Sequence, residues 1–255
     1  MGKYVVTGGA AGIGGAVVDT LRGEGHTVVV VDIQGGDINA DLATPEGRAA
    51  AILKLEESVE GGLDGFVSCA GVGPHFQPVE DIASLNYFGT IELLQGIRGR
   101  LAQRKGAAVL VSSNTAVYEK DQQLTALLES LDEHAARAYS ATIDGQSAYA
   151  TSKFCVATWM RGHVREYASE GVRLNAVAPG FTRTALTDAG RKNPEYGPMI
   201  EQFITTIPVG FEGKPNDISA AICFLLRREA SYVDPYYLSM ADTTPRCVLS
   251  RSEKG

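Results

Sequence analysis

Short apolar runs alternate with amphipathic stretches from the third residue of the chain onward. Lys3–Thr7 is a β-branched run that ends in glycines, and His26–Asp32 is almost continuously apolar, as a strand buried on both faces has to be. Gly65–Cys69, Ala107–Ser113 and Arg173–Ala178 are runs of the same kind. Segments with helical spacing lie between them. In Ile13–Gly23, Ile13, Ala16, Val17 and Leu21 share a face; Arg48–Val59, Leu85–Gln103, Ser147–Tyr167 and Ile218–Arg228 follow. Strands that alternate with helices of this length predict an α/β fold, a doubly wound parallel sheet of Rossmann type with helices on both faces. The chain has 255 residues and no internal repeat or linker, which suits a single domain spanning 1–255.

Three segments interrupt the rhythm. Residues 119–146 read as a helical insert before Tyr149. Leu124, Leu127, Leu128 and Leu131 follow helical spacing and predict one apolar face, and Asp132–Ala141 can form a second helix. The insert is either a hairpin packed on the body or a cover over the faces of Asn86–Gln103 and Tyr149–Tyr167. Residues 181–210 carry Phe181, Leu186, Tyr196, Met199, Ile200 and Phe203, apolar groups suited to a mobile lid that excludes water. After Val233 comes Asp234-Pro-Tyr-Tyr-Leu-Ser-Met240 and a polar tail, with a short strand expected over Tyr237–Met240.

The first strand runs into Thr7-Gly8-Gly9-Ala10-Ala11-Gly12-Ile13-Gly14 and then a helix. Glycine suits a tight turn that a pyrophosphate approaches closely, and the helix start offers N–H groups and a positive dipole end. Gly8, Gly12, Ile13 and Gly14 are thus candidate dinucleotide contacts. Asp32 closes the second strand, followed by Ile33, with no Lys or Arg directly after it or within the glycine turn. A carboxylate there binds ribose hydroxyls and repels a 2′-phosphate, so NAD is expected over NADP. Asp41 and Leu42 are placed to contact adenine.

Tyr149-Ala-Thr-Ser-Lys153 lies near the start of a predicted helix, and a spacing of four puts Tyr149 and Lys153 on one face. An ammonium beside a phenol favours the phenolate, which can take a proton from an alcohol or return one to a ketone. Ser113, with Ser112 as the alternative, ends a strand at the crevice edge of the sheet and can hold a substrate oxygen. Asn86 opens the helix before that strand and can fix a water in a proton relay.

Thr7–Gly14, Ser68-Cys69-Ala70-Gly71, Asn86, Ser112-Ser113, Tyr149–Lys153 and Asn175-Ala-Val-Ala-Pro-Gly180 together resemble the ordered motifs of the short-chain dehydrogenase/reductase family, over roughly residues 3 to 233. The resemblance implies Ser113 as binder of the substrate oxygen, Tyr149 as acid/base, Lys153 as partner of Tyr149 and of the ribose, and Asn86 as relay support. It adds Ala70, Gly71, Tyr149, Lys153, Pro179, Thr182 and Thr184 to the cofactor contacts. Ser68-Cys69 stands where the family usually has two asparagines. Within the family, Ser84–Gly89, the insert and Thr184–Phe203 look most like the bacterial hydroxysteroid dehydrogenase/carbonyl reductase branch. That likeness implies a 3α-hydroxysteroid or another bulky apolar carbonyl compound as substrate, and a homodimer or homotetramer. A non-catalytic NAD(H)-binding regulator on the same fold is the alternative reading.

The net charge of −7 argues against nucleic acid and anionic membranes as partners. No signal, lipidation or membrane-spanning pattern is expected, which suggests a cytoplasmic protein. Cys69, Cys155, Cys223 and Cys247 form no metal-ligand spacing, so no metal is expected. His26, His75, His134 and His163 are scattered and read as structural or surface residues.

Overall fold

A computed structural model describes residues 1–233 and 237–239. Seven parallel strands form one sheet in the order β3-β2-β1-β4-β5-β6-β7. They are β1 (Lys3–Thr7), β2 (Thr27–Asp32), β3 (Ile38–Asn39), β4 (Gly65–Ser68), β5 (Ala107–Val111), β6 (Arg173–Ala178) and β7 (Tyr237–Ser239). Successive side chains of a strand point to opposite faces, and two cores result. Val5, Phe66, Ala108, Leu110 and Leu174 belong to one; Tyr4, Val6, Val67, Val109 and Val177 belong to the other.

The helices are α1 (Gly12–Gly23), α2 (Pro45–Ser58), α3 (Glu80–Ala83), α4 (Gly89–Arg104), α5 (Gln122–Glu129), α6 (Glu133–Ser140), α7 (Gly145–Ser169), α8 (Ala185–Lys192), α9 (Gly197–Ile204) and α10 (Pro215–Leu226). α1 and α10 pack together over one face of the sheet; α2, α4 and α7 cover the other.

Where boundaries differ from the sequence reading, local chemistry explains it. The helix expected at Leu85 starts at Glu80, because the π-helical stretch Ser84–Phe88 joins α3 to α4 without a break. α2 starts at Pro45, capped by Thr44, whose hydroxyl accepts from the Gly47 N–H, an arrangement that suits proline in the first turn. α7 starts at Gly145, because the Asp144 carboxylate caps the Ser147 N–H at 2.9 Å.

The insert forms α5 and α6, which pack on α7 and α3. Leu124 and Leu128 are fully buried and Leu127 partly so, but Leu131 is 51 % exposed. The expected apolar face therefore ends one residue position short: Leu131 sits past the helix end with φ +58°. Asp121 organises the hairpin. Its carboxylate caps Leu124 N–H at 2.8 Å and accepts from Tyr139 Oη at 2.9 Å.

The tail reading is split. β7 covers Tyr237–Ser239 beside β6, while Asp234–Tyr236 and Met240–Gly255, including Cys247, lie outside the described residues. Among the described residues no helix is long and apolar enough to cross a membrane.

Candidate active site

The strand order reverses between β1 and β4, and in such sheets a crevice opens beyond the carboxyl ends of those strands. The turn after β1 is built to accept phosphate. Gly8 and Gly12 have φ of +65° and +58°, which side chains disfavour. A Cβ on Gly14 would come 2.1 Å from the Gly8 carbonyl oxygen, so α1 can start this close to the turn only with glycine there. No side chain caps α1, which leaves its first N–H groups for an anion. On this geometry the turn fits a dinucleotide pyrophosphate.

Asp32 sits beside the same turn. Its carboxylate accepts from Ala10 N–H at 3.0 Å and Ile33 N–H at 2.8 Å. Ile33 is 67 % exposed and flanks that carboxylate. Asp41 is exposed and accepts from Ala43 N–H at 3.0 Å, whereas the Leu42 side chain is in the core. Ala70 donates its N–H to Thr7 Oγ1 at 3.1 Å, which holds the turn after β4 against the glycine turn. Ser68 in the modified motif accepts from Val111 N–H at 3.3 Å. Cys69 reaches the crevice, and burial pushes its thiol up to about 12, so it is not a thiolate at neutral pH.

A cavity of about 460 Å³ opens at this edge, a size usual for small-molecule sites. Ser113, Tyr149 and Lys153 line it together, with Ile13, Gly71, Pro179, Thr182 and Thr184 of the expected cofactor set. Lys153 is 5 % exposed and donates to the Val111 carbonyl at 2.9 Å. Burial lowers its pKa to about 8. The two serines differ in role. Ser112 Oγ donates to the Lys153 carbonyl at 2.7 Å, which ties α7 to β5. Ser113 Oγ accepts from Thr115 N–H at 3.2 Å and from Thr115 Oγ1 at 3.0 Å, which orients it at the end of the strand.

Asn86 lies behind the cavity wall in the π-helical stretch. Its Oδ1 accepts from Val72 N–H at 2.9 Å, and its Nδ2 donates to the Val72 carbonyl at 3.1 Å. π-helical turns recur at functional sites, and this one aims the amide at the loop after β4.

The apolar residues of 181–210 meet at the same cavity: Phe181, Leu186, Tyr196, Met199, Ile200 and Phe203 all line it. α8 and α9 form that side of the cavity. Arg191 joins them, pairing with Glu201 at 2.7 Å and with Glu212 at 3.1 Å. Thr184 starts α8 through a reciprocal cap with Thr187.

His75, read from the sequence as structural or surface, is part-buried and lines the cavity; His26 and His163 pack against Tyr4 and Trp159. Val72, Pro74, Asn114, Tyr118 and Gln146 also line the cavity and were not identified. The usable signal was the Gly71-Val-Gly-Pro-His75 loop directly after a crevice strand.

Comparison with known proteins places this geometry among its relatives. The short chain dehydrogenase family model matches residues 3–125, and the enoyl-(acyl carrier protein) reductase model matches residues 134–238. The chain is 37% identical over 240 residues to the 3-alpha-hydroxysteroid dehydrogenase/carbonyl reductase of Comamonas testosteroni, covering 91% of this chain and 92% of the relative. It is 30% identical over 242 residues to the acetoacetyl-CoA reductase of Synechocystis sp., covering 89% of each. Among solved structures it is similar to the 3-alpha-hydroxysteroid dehydrogenase from Pseudomonas sp. B-0831 complexed with NADH. That match has a TM-score of 0.89 at 35% identity and covers 93% of this chain and 94% of the other.

Proposed function

The chain belongs to the short-chain dehydrogenase/reductase family, and we propose that it interconverts a secondary alcohol and a ketone with NAD(H), on a bulky apolar substrate of hydroxysteroid size. One observation carries the reading: Ser113, Tyr149 and Lys153 share a cavity with an apolar lid at the crevice edge of the sheet. The glycine turn, Asp32 and Lys153 would hold a nicotinamide dinucleotide, which would supply the hydride acceptor or donor when bound.

The side chains do the rest. Ser113 donates a hydrogen bond to the substrate oxygen and sets it against Tyr149. The Tyr149 hydroxyl takes the proton of the alcohol, or returns it to the ketone oxygen. The Lys153 ammonium on the same helix face favours the phenolate. Asn86 holds the Val72 backbone, and Val72 forms part of the cavity wall. The lid covers the site and excludes water. A regulator without catalysis would need none of this proton-handling set, and the relatives are named as enzymes.

Steroid ketones, aromatic ketones and acetoin-sized ketones, each with NADH and NADPH, test the proposal. Steroid ketones are expected to exceed the small ones in kcat/KM by on the order of tenfold to a hundredfold, from apolar contacts with the lid. Equal values would remove the apolar part of the reading, and no turnover of any ketone would remove the reaction. Assembly as a homodimer or homotetramer belongs to the same proposal, supported by the likeness to the family. A single-chain mass in light scattering would overturn that part.

Cofactor choice gives a sharper test. Asp32→Asn keeps an acceptor for Ala10 N–H but removes the charge that repels a 2′-phosphate. The ratio of kcat/KM for NADPH over NADH should rise by at least about tenfold, one step of 1.4 kcal/mol. An unchanged ratio would move the selection away from Asp32.

A further inference from the structure

The loop that leaves β4 runs along the first turns of α7. At one end Gly71 lies beside Lys153, where a Cβ would come 3.4 Å from Nζ. Three residues on, the Pro74 carbonyl meets Gly145, where a Cβ would come within 2.0 Å of that oxygen. Gly145 precedes Tyr149 by one helical turn and Lys153 by two, about 6 and 12 Å along the axis. The loop thus carries His75 away from the reacting end of the cavity and toward the lid.

His75 is fixed there by two glycines. A Cβ on Gly73 would lie 3.2 Å from Nδ1, and a Cβ on Gly190 of α8 would lie 3.2 Å from the same atom. The ring therefore sits in a slot between its own loop and the lid. Among the described residues no hydrogen bond reaches either ring nitrogen. Burial lowers its pKa, so the neutral ring is the form at pH 7, with one donor and one acceptor nitrogen. Leu186, Ile200 and Phe203 line the same cavity. In an apolar pocket a placed polar group of this kind sets ligand orientation.

We propose that His75 recognises a second oxygen of the substrate, a hydroxyl or carbonyl remote from the reacting carbon on an apolar skeleton. This rests on the reading of Ser113 and Tyr149 as the reacting end, and it narrows the substrate class to compounds oxygenated at both ends.

Two ketones on one fused-ring skeleton, with and without a hydroxyl at the far end, decide it. Their kcat/KM ratio is measured with NADH, and their Kd ratio by calorimetry on the NADH-loaded protein. The wild type should favour the hydroxylated ketone in both ratios by about twofold to tenfold, the net worth of one neutral hydrogen bond. His75→Phe, which keeps a ring in the glycine slot, should bring both ratios to about one. His75→Gln, which restores a donor and an acceptor, should recover most of the preference. A wild-type ratio near one overturns the proposal, whatever the variants do, and so does a preference that survives in His75→Phe. If neither ketone is turned over, the reaction assignment fails while the Kd ratios still judge His75.

Discussion

Tyr149→Phe is expected to lower kcat by about 10²–10⁴-fold, the usual contribution of a positioned acid/base group, and to leave NADH affinity within about threefold. The substitution removes one oxygen and no ring atom. Tyr149 is half-buried at the start of α7, so Phe retains its packing and Lys153 keeps its bond to the Val111 carbonyl. Only the hydroxyl proposed to exchange a proton with the substrate oxygen is lost. The check is steady-state turnover of the best ketone beside a fluorescence titration with NADH. Turnover at the wild-type rate would sink the assignment of Tyr149. A large loss of NADH affinity with kcat preserved would instead make Tyr149 a cofactor-binding group. Ser113→Ala should lower kcat less, because the tyrosine hydroxyl still holds the substrate oxygen.

The alternation of strands and helices was legible because β1, β4 and β5 are covered on both faces and so read as nearly unbroken apolar runs. The glycine turn and the Tyr149–Lys153 pair were legible because local backbone geometry forces their spacing. What the sequence hid depends on contacts across the chain. The two-residue strand β3 is too short to show a period. Leu131 fitted the helical pattern of the insert, yet the chain turns left-handed there and exposes it. His75 gave no signal as a lone histidine; its place comes from Gly73 on one side and Gly190, more than a hundred residues later, on the other. Ser112 and Ser113 were separable only once Ser112 was seen donating to the Lys153 carbonyl.

Arg48 is the largest feature that the pattern missed, and its removal is expected to cost the fold about 3–5 kcal/mol, the range for breaking a buried ion pair from one side. On sequence it reads as the polar start of α2. In the structure its side chain is 1% exposed. Nε pairs with Glu92 on α4 at 2.6 Å, a second nitrogen pairs with Glu133 on α6, and the third donates to the Leu42 carbonyl at 3.2 Å. One guanidinium thus joins α2, α4, the insert and the segment after β3. In Arg48→Ala, Glu133, with a side chain only 15% exposed, loses the partner of its charge. At 2–4 °C per kcal/mol for a chain of this size class, the melting temperature should fall by roughly 10 °C. A loss under about 1 kcal/mol in urea denaturation is what an exposed pair would give, and it would show that the insert is held by Leu124 and Leu128 alone. The double variant Arg48→Met with Glu133→Gln should recover much of the loss, because Met fills the arginine stem and Gln leaves no buried charge. Recovery assigns the cost to uncompensated charge, and failure to recover assigns it to the Leu42 and Glu92 bonds. Because the Leu42 carbonyl neighbours Asp41, the single variant should also weaken NADH binding, a readout that loss of the insert packing alone would not move.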